Sequence, residues 1–266
     1  MKNNQPIGVF DSGLGGLTVV RAIQQKLSNE SIIYFGDTAR VPYGSKSKES
    51  IIKFTYEAVK FFLSHDVKCI VIACNTASAL ALKEVSASVN IPIIGVINPG
   101  AEAAIAASKS NKIGVIGTAA TIASEAYAQA IKKLKNDVIV YSQPCPLFVP
   151  LVEEDWCDRA ATNLIVQEYL LPLKTAKIDT LVLGCTHYPL LSEAIGKFMG
   201  SEVQLVDSAG TCAESLKKQL EQTKNFADAD IPKNETYFVS DSAARFSELG
   251  TRFLGHRLQA IKITIE

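Results

Sequence analysis

The sequence predicts an α/β protein of two pseudo-symmetric α/β domains, each with a mostly parallel sheet, and an active-site cleft between them. Three observations carry that reading. Short β-rich apolar runs alternate with longer helix-like segments along the whole chain, the rhythm of strands joined by crossover helices. The chain also repeats itself. IGVFDSG at 7–13 matches IGVIGTA at 113–119, CNTAS from Cys74 matches CTHYP from Cys185, and the stretch around Asn98 matches that around Ser208, at offsets of 106, 111 and 110 residues. Three landmarks in the same order at nearly one offset favour a duplicated half. Finally, 266 residues suffice for two small domains with buried cores.

In the first half, residues 7–10 read as a strand and 17–27 as a helix opened by a glycine-rich turn, followed by a strand at 31–35. Residues 47–64 form an amphipathic helix, because Ile51, Ile52, Phe54, Ala58, Val59 and Phe62 recur at near-helical spacing. Strand 67–73 leads to helix 78–86, and strand 93–96 to helix 101–107. The rhythm resumes with strand 112–116, helix 122–134, strand 138–141, helix 157–171, strand 180–183, helix 190–198, strand 203–206 and helix 212–220. A last clear strand at 236–239 and a last helix at 243–254 complete the pattern.

Hydrophobic residues make up 47% and charged residues 20%, the make-up of a soluble globular protein. Lys+Arg and Asp+Glu both number 27, so the formal net charge is zero and nothing advertises a nucleic-acid or anionic-membrane surface. No apolar run nears the roughly 20 residues that span a bilayer. The start, MKNNQPIGVF, goes straight into a strand and lacks the apolar core and cleavage site of a signal peptide, so a cytoplasmic location is expected. Six cysteines without a C-x-x-C pair, and only three histidines, argue against a structural zinc site. In a reducing compartment the thiols stay free, and Cys69, Cys145, Cys157 and Cys212 read as small buried hydrophobes.

Cys74 and Cys185 read differently. Each ends a strand and precedes a helix, and in parallel sheets ligands bind beyond the carboxyl ends of the strands. Their neighbours Asn75, Thr76, Thr186 and His187 can cap those helices and offer amide or hydroxyl groups to a ligand. Helix N-termini favour a carboxylate and lower a thiol pKa. A single cysteine with a histidine and an acid would suggest a nucleophile. Two symmetric cysteines suit another task. A thiolate on one face of a substrate removes a proton and a thiol on the other face returns one, which inverts a stereocentre with no cofactor or metal.

Asp11, in FDSGLGG, would repel a phosphate; it fits a substrate ammonium group or a catalytic thiol, or serves as N-cap of the next helix. The loop GDTARVPYGSKS at 36–47 places Tyr43, Gly44 and Ser45 in a turn after Pro42, which either closes over the cleft or simply connects. The acids of LVEEDW at 151–156 read, on local grounds, as a solvated charge run. His187, two residues after Cys185, is placed for function.

Together, GVFDSGLGGLTV, GDTARVPYG, ACNTASA, PLVEED and LGCTHYPLL resemble the glutamate racemases, cofactor-independent enzymes of the aspartate/glutamate racemase superfamily that supply D-glutamate for bacterial peptidoglycan. These stretches lie within residues 8–191, and FVSDSAARF at 238–246 is similar to the family's C-terminal segment. The resemblance implies that Cys74 and Cys185 are the bases on opposite faces of Cα, with Asp11 supporting Cys74, and Glu153 and His187 supporting Cys185. It implies that Ser12, Tyr43, Gly44, Asn75, Thr76, Thr186 and His187 hold glutamate, and that Thr118, the repeat partner of Ser12, adds a hydroxyl. It further implies a discontinuous first domain, 1–97 plus 207–266, a second domain, 98–206, a homodimer, and no cofactor. Some relatives carry an N-terminal extension tied to activation by a cell-wall precursor. This chain starts six residues before its first strand, so no such control is expected. The competing readings are an aspartate racemase or a related decarboxylase or isomerase, a Cys185–His187 thiol hydrolase indifferent to loss of Cys74, and a non-catalytic α/β binding module, against which the missing signal peptide and the duplicated thiols argue.

Overall fold

The apolar runs of the first half become β1 (Ile7–Asp11), β2 (Ile32–Gly36), β3 (Cys69–Ile72) and β4 (Ile93–Gly95) in a computed structural model that describes residues 3–265. Helix α1 (Leu17–Lys26) joins β1 to β2, and the amphipathic stretch forms α2 (Lys48–Ser64), started by the Ser47 hydroxyl, which accepts from Ser50 N–H. Where one helix was expected at 78–86 there are two, α3 (Asn75–Leu80) and α4 (Leu82–Ser86), separated at Ala81. Helix α5 (Ile97–Ala107) begins four residues earlier than expected. Pro99 is tolerated there because its missing N–H falls in the first turn, where no intrahelical partner exists.

The second half follows with β5 (Lys112–Gly117), then α6 (Ala119–Ala123) and α7 (Ala126–Leu134), broken at Glu125, whose φ is 56°. Strand β6 (Ile139–Pro144) leads to α8 (Phe148–Glu153), a helix absent from the sequence expectation. Helix α9 (Ala160–Thr175) carries Pro172 inside its last turn and continues past the expected end at 171. After β7 (Thr180–Gly184), a 3-10 turn at Tyr188–Leu191 opens α10 (Ser192–Met199), and β8 (Gln204–Asp207) is followed by α11 (Ser208–Thr223). The chain ends with β9 (Glu235–Val239), α12 (Ala243–Leu254) and β10 (Ala260–Lys262), the last a short strand the pattern did not reveal.

All pairings are parallel, in two sheets ordered β10-β9-β2-β1-β3-β4 and β6-β5-β7-β8. The order β2-β1-β3-β4 is repeated by β6-β5-β7-β8, so the sequence repeat is also a repeat of topology. Register aligns the carboxyl ends: Asp11 pairs with Gly36 and Phe10 with Ile72 in the first sheet, and Gly117 with Pro144 and Gly184 in the second. The turns after β1, β2 and β3 therefore share one edge, as do those after β5, β6 and β7.

Two helices cross between the sheets. Helix α5 leaves the edge strand β4 but packs on α7, β7 and β8, and its Ile97, Ala101 and Ala104 share a core with Ile113, Val115 and Val182. Helix α11 leaves the edge strand β8 and packs on α1 and β4, burying Cys212, Ala213 and Leu216 in the cluster that holds Ile7, Leu17 and Val20. No helix among the described residues is long and apolar enough to cross a membrane.

Candidate active site

Cys74 and Cys185 stand at the equivalent ends of β3 and β7 and line the same small cavity, exposed by only 5% and 6%. Cys74 is itself the N-cap of α3. Its Sγ accepts from Ala77 N–H at 3.5 Å, and it donates to Ser12 Oγ at 3.7 Å. Burial, then the Asp11 carboxylate, push this thiol up to about 12, against the smaller opposing pull of Ala77 N–H and Ser12.

Cys185 has no such cap, because the chain turns into the 3-10 segment instead of an α-helix. Its partner is a side chain: His187 Nδ1 lies 3.9 Å from Sγ, and His187 Nε2 lies 3.1 Å from Glu153 Oε1. Burial alone would lower the imidazole pKa. The hydrogen bonds to Cys185 and Glu153 outweigh it and push His187 up to about 10, so the ring is held as a cation. Glu153 ends α8, the helix that the charge-run reading of 151–156 concealed.

Asp11 is fully buried at the end of β1. It does not cap α1, whose N-cap is Gly16. Its Oδ2 accepts from Gly13 N–H at 2.9 Å and its Oδ1 from Thr186 Oγ1 at 3.3 Å. Burial raises its pKa; His187 and the backbone N–H groups of Gly13 and Gly16 partly oppose this. Glycine is required at 15 because the second half approaches closely: a Cβ there would lie 2.2 Å from Thr186 Oγ1 and 2.5 Å from His187 Nδ1.

The remaining residues expected to hold substrate also converge. Ser12, Tyr43, Gly44, Asn75, Thr76, Thr118, Thr186 and His187 all line the cavity, joined by Val41, Pro42 and Val149. Asp11 and Glu153 stand one residue back, behind Thr186 and His187. Thr76 and Thr118 hydroxyls meet at 2.9 Å, and Thr121 closes a triangle with them at 3.1 and 2.9 Å. Asn75 is aimed by Tyr127, whose OH donates to Oδ1 at 2.7 Å, and by Ser208, which accepts from Nδ2 at 3.5 Å. Sequence reasoning missed Thr121, Tyr127 and Ser208. Thr121 left a local trace, three residues after a threonine that caps α6, and Ser208 stood out only as a landmark of the repeat.

The cavity is about 30 Å3, room for a water or two and not for an amino acid. Two thiols with unlike partners therefore face one narrow cavity lined by residues of both sheets' turns.

The sequence profile described as Asp/Glu/Hydantoin racemase matches residues 7–216. The chain belongs to that family. A glutamate racemase from Geobacter metallireducens is 50% identical over 252 residues, 95% of this chain and 93% of that one. Among solved structures, a glutamate racemase isoform from Bacillus anthracis is 41% identical, with a TM-score of 0.96 and coverage of 98% of each chain. The glutamate racemase from Francisella tularensis, solved in complex with D-glutamate, is also 41% identical, with a TM-score of 0.92 over 98% of each chain. The protein is thus an isomerase of the racemase type with the two-sheet α/β fold of that family.

Proposed function

We propose that the protein interconverts L- and D-glutamate by cofactor-independent proton transfer at Cα between Cys74 and Cys185. The observation that carries this reading is the pair of buried thiols lining one cavity from equivalent strands of a repeated fold. The D-glutamate complex of the Francisella tularensis relative supports glutamate as the small-molecule substrate.

Catalysis requires one thiolate and one thiol at once. The two surroundings supply that difference. His187, whose pKa is raised by its hydrogen bonds to Cys185 and then Glu153, sets an imidazolium 3.9 Å from the Cys185 sulfur, while burial and then the Asp11 carboxylate keep the Cys74 thiol protonated. The Cys185 thiolate takes the Cα proton from one face and the Cys74 thiol delivers its proton to the other. The product leaves Cys185 as thiol and Cys74 as thiolate, the starting state for the reverse reaction. Asp11 then serves the Cys74 proton, and Glu153 acts through His187 on that of Cys185. Ser12, Tyr43, Gly44, Asn75, Thr76, Thr118 and Thr186 hold the carboxylates and ammonium group, with His187 at the edge. Closure around the substrate excludes bulk water and protects the carbanion.

This reading divides the chain into 1–97 plus 207–266 and 98–206, supported by the points at which it passes from β4 to α5 and from β8 to α11. It places the enzyme in the cytoplasm as a homodimer supplying D-glutamate to peptidoglycan biosynthesis.

The test is proton NMR of the purified protein with L-glutamate in D2O and no added cofactor, beside a polarimeter trace. Loss of the Cα proton signal together with optical rotation is the expected result. Exchange with aspartate alone would change the substrate, and exchange with neither would overturn the reading.

A further inference from the structure

We infer that Asp37 is a positioning residue for the substrate pocket: it fixes the 41–44 loop, through Tyr43, in the geometry that binds glutamate. This rests on glutamate binding between the two thiols. Asp37 follows β2, and its backbone N–H donates to Asp11 O at 3.0 Å, so it sits one strand over from the reacting centre. Its carboxylate is completely buried, a costly placement unless every oxygen is satisfied. Oδ2 accepts from Tyr43 OH at 2.5 Å and from Arg40 Nε at 2.6 Å, and Oδ1 accepts from Ser240 Oγ at 2.9 Å.

Each donor ties the loop to something rigid. Arg40 also pairs with Glu57 on α2 and lies 4.0 Å over the Phe54 ring. Ser240 belongs to the turn after β9, and that turn is stitched to the start of the loop. Ala39 N–H donates to Ser240 Oγ at 2.8 Å, Thr38 Oγ1 to Asp241 O at 2.6 Å, and Asp241 N–H to Thr38 Oγ1 at 2.8 Å. This gives the FVSDSAARF stretch a purpose that the two-thiol chemistry leaves unexplained. Tyr43, only 2% exposed, packs against Phe10 and Phe54. Gly44 then abuts the opposite half so closely that a Cβ would lie 2.6 Å from Thr118 Cβ.

The two walls of the cavity differ accordingly. The loop is pinned by a buried carboxylate. Helix α8, which supplies Val149 and Glu153, is anchored instead by its buried apolar face, Phe148, Leu151 and Val152, and by Glu153 on His187, with the exposed pairs Glu154–Arg245 and Asp155–Arg252 just past its end. A pocket of about 330 Å3 lies between that helix and the loop, and one of about 240 Å3 lies between the end of α8, the turn after β1 and α12. The loop, pinned by the Asp37 carboxylate, is the template that sets affinity for the substrate.

The test is steady-state racemization of glutamate by wild type, Asp37→Asn, Ser240→Ala and Tyr43→Phe, with melting curves and α-deuterated substrate. The two hands have equal free energy, so kcat/KM must fall by one factor in both directions, and only the split between kcat and KM is informative. Asp37→Asn is expected to raise KM about tenfold, the cost of roughly one charge-assisted hydrogen bond, with kcat within about twofold and the isotope effect unchanged. Ser240→Ala, which spares the charge, should move KM the same way by less. A fall in kcat with KM unchanged would place Asp37 in proton transfer and overturn the proposal, as would no kinetic change. If Asp37→Asn fails to fold, unchanged KM in both Ser240→Ala and Tyr43→Phe overturns it. A wild type inactive on glutamate removes the two-thiol reading first, and this proposal falls with it.

Discussion

The two cysteine turns share a sequence pattern, a strand position and burial, yet differ in what touches the sulfur. At the end of β3 the thiol caps a short helix and faces a hydroxyl and a buried carboxylate. At the end of β7 the helix start is replaced by a 3-10 turn, and an imidazole braced by Glu153 takes its place. The repeat supplies the geometry and the unlike neighbours supply the charge. The proposed reaction, which needs one protonated and one deprotonated group, would be served by the unlikeness of two otherwise equivalent sites.

The comparison breaks most directly at the sulfurs. Cys74→Ser and Cys185→Ser should each lower racemization by about a thousandfold or more. Each should keep one-sided chemistry, seen as elimination from a glutamate analogue of one hand only, with the hand exchanged between the two variants. Full activity in Cys74→Ser would end the claim that the halves act as partners.

The supporting groups come next. Asp11→Asn and His187→Asn should lower kcat by about 10- to 100-fold while KM stays within about threefold. A pure rise in KM for Asp11→Asn would move that residue from proton transfer to substrate holding.

Stability against pH gives the smallest effects and the sharpest contrast. The folded pKa of His187 is raised from 6.5 to about 10, so its contribution is complete below 6.5 and is lost as pH rises through 10. His187→Gln should flatten that part of the curve of melting temperature against pH. Asp11 is a carboxyl whose folded pKa is raised, so its ionisation costs stability once pH climbs past its ordinary value of 3.8. Asp11→Asn should therefore melt higher at pH 7, by about 2–4 °C for each kcal/mol relieved, while losing activity. A lower melting temperature would mean that its contacts to Gly13 and Thr186 outweigh the cost of burying its charge.

The strands were legible because parallel strands buried on both faces read as continuous apolar runs, as β1, β3 and β7 do. Helix boundaries were less so. Pro99 and Pro172 look like breakers, but Pro99 falls in the first turn of α5, where no hydrogen bond is lost, and Pro172 only in the last turn of α9, and the left-handed Glu125 that divides α6 from α7 carries no sequence signal. Helix α8 was hidden by its acids, although its buried face of Phe148, Val149, Leu151 and Val152 explains why it folds. The two thiols could be found from the repeat alone. The link from Asp37 to Ser240 could not, because a hydrogen bond across 203 residues leaves no local pattern.

The crossing of α5 and α11 has a consequence of another kind. Each sheet is roofed by a helix that grows from the other, so neither half carries its own complete cover. Two identical chains that swapped this helix would, once joined end to end, have this architecture. A dyad between two copies presents the same turn from opposite sides to whatever rests on the axis. In such a pair the ability to reach a carbon from both faces is inherited with the symmetry, before any residue has been chosen for chemistry.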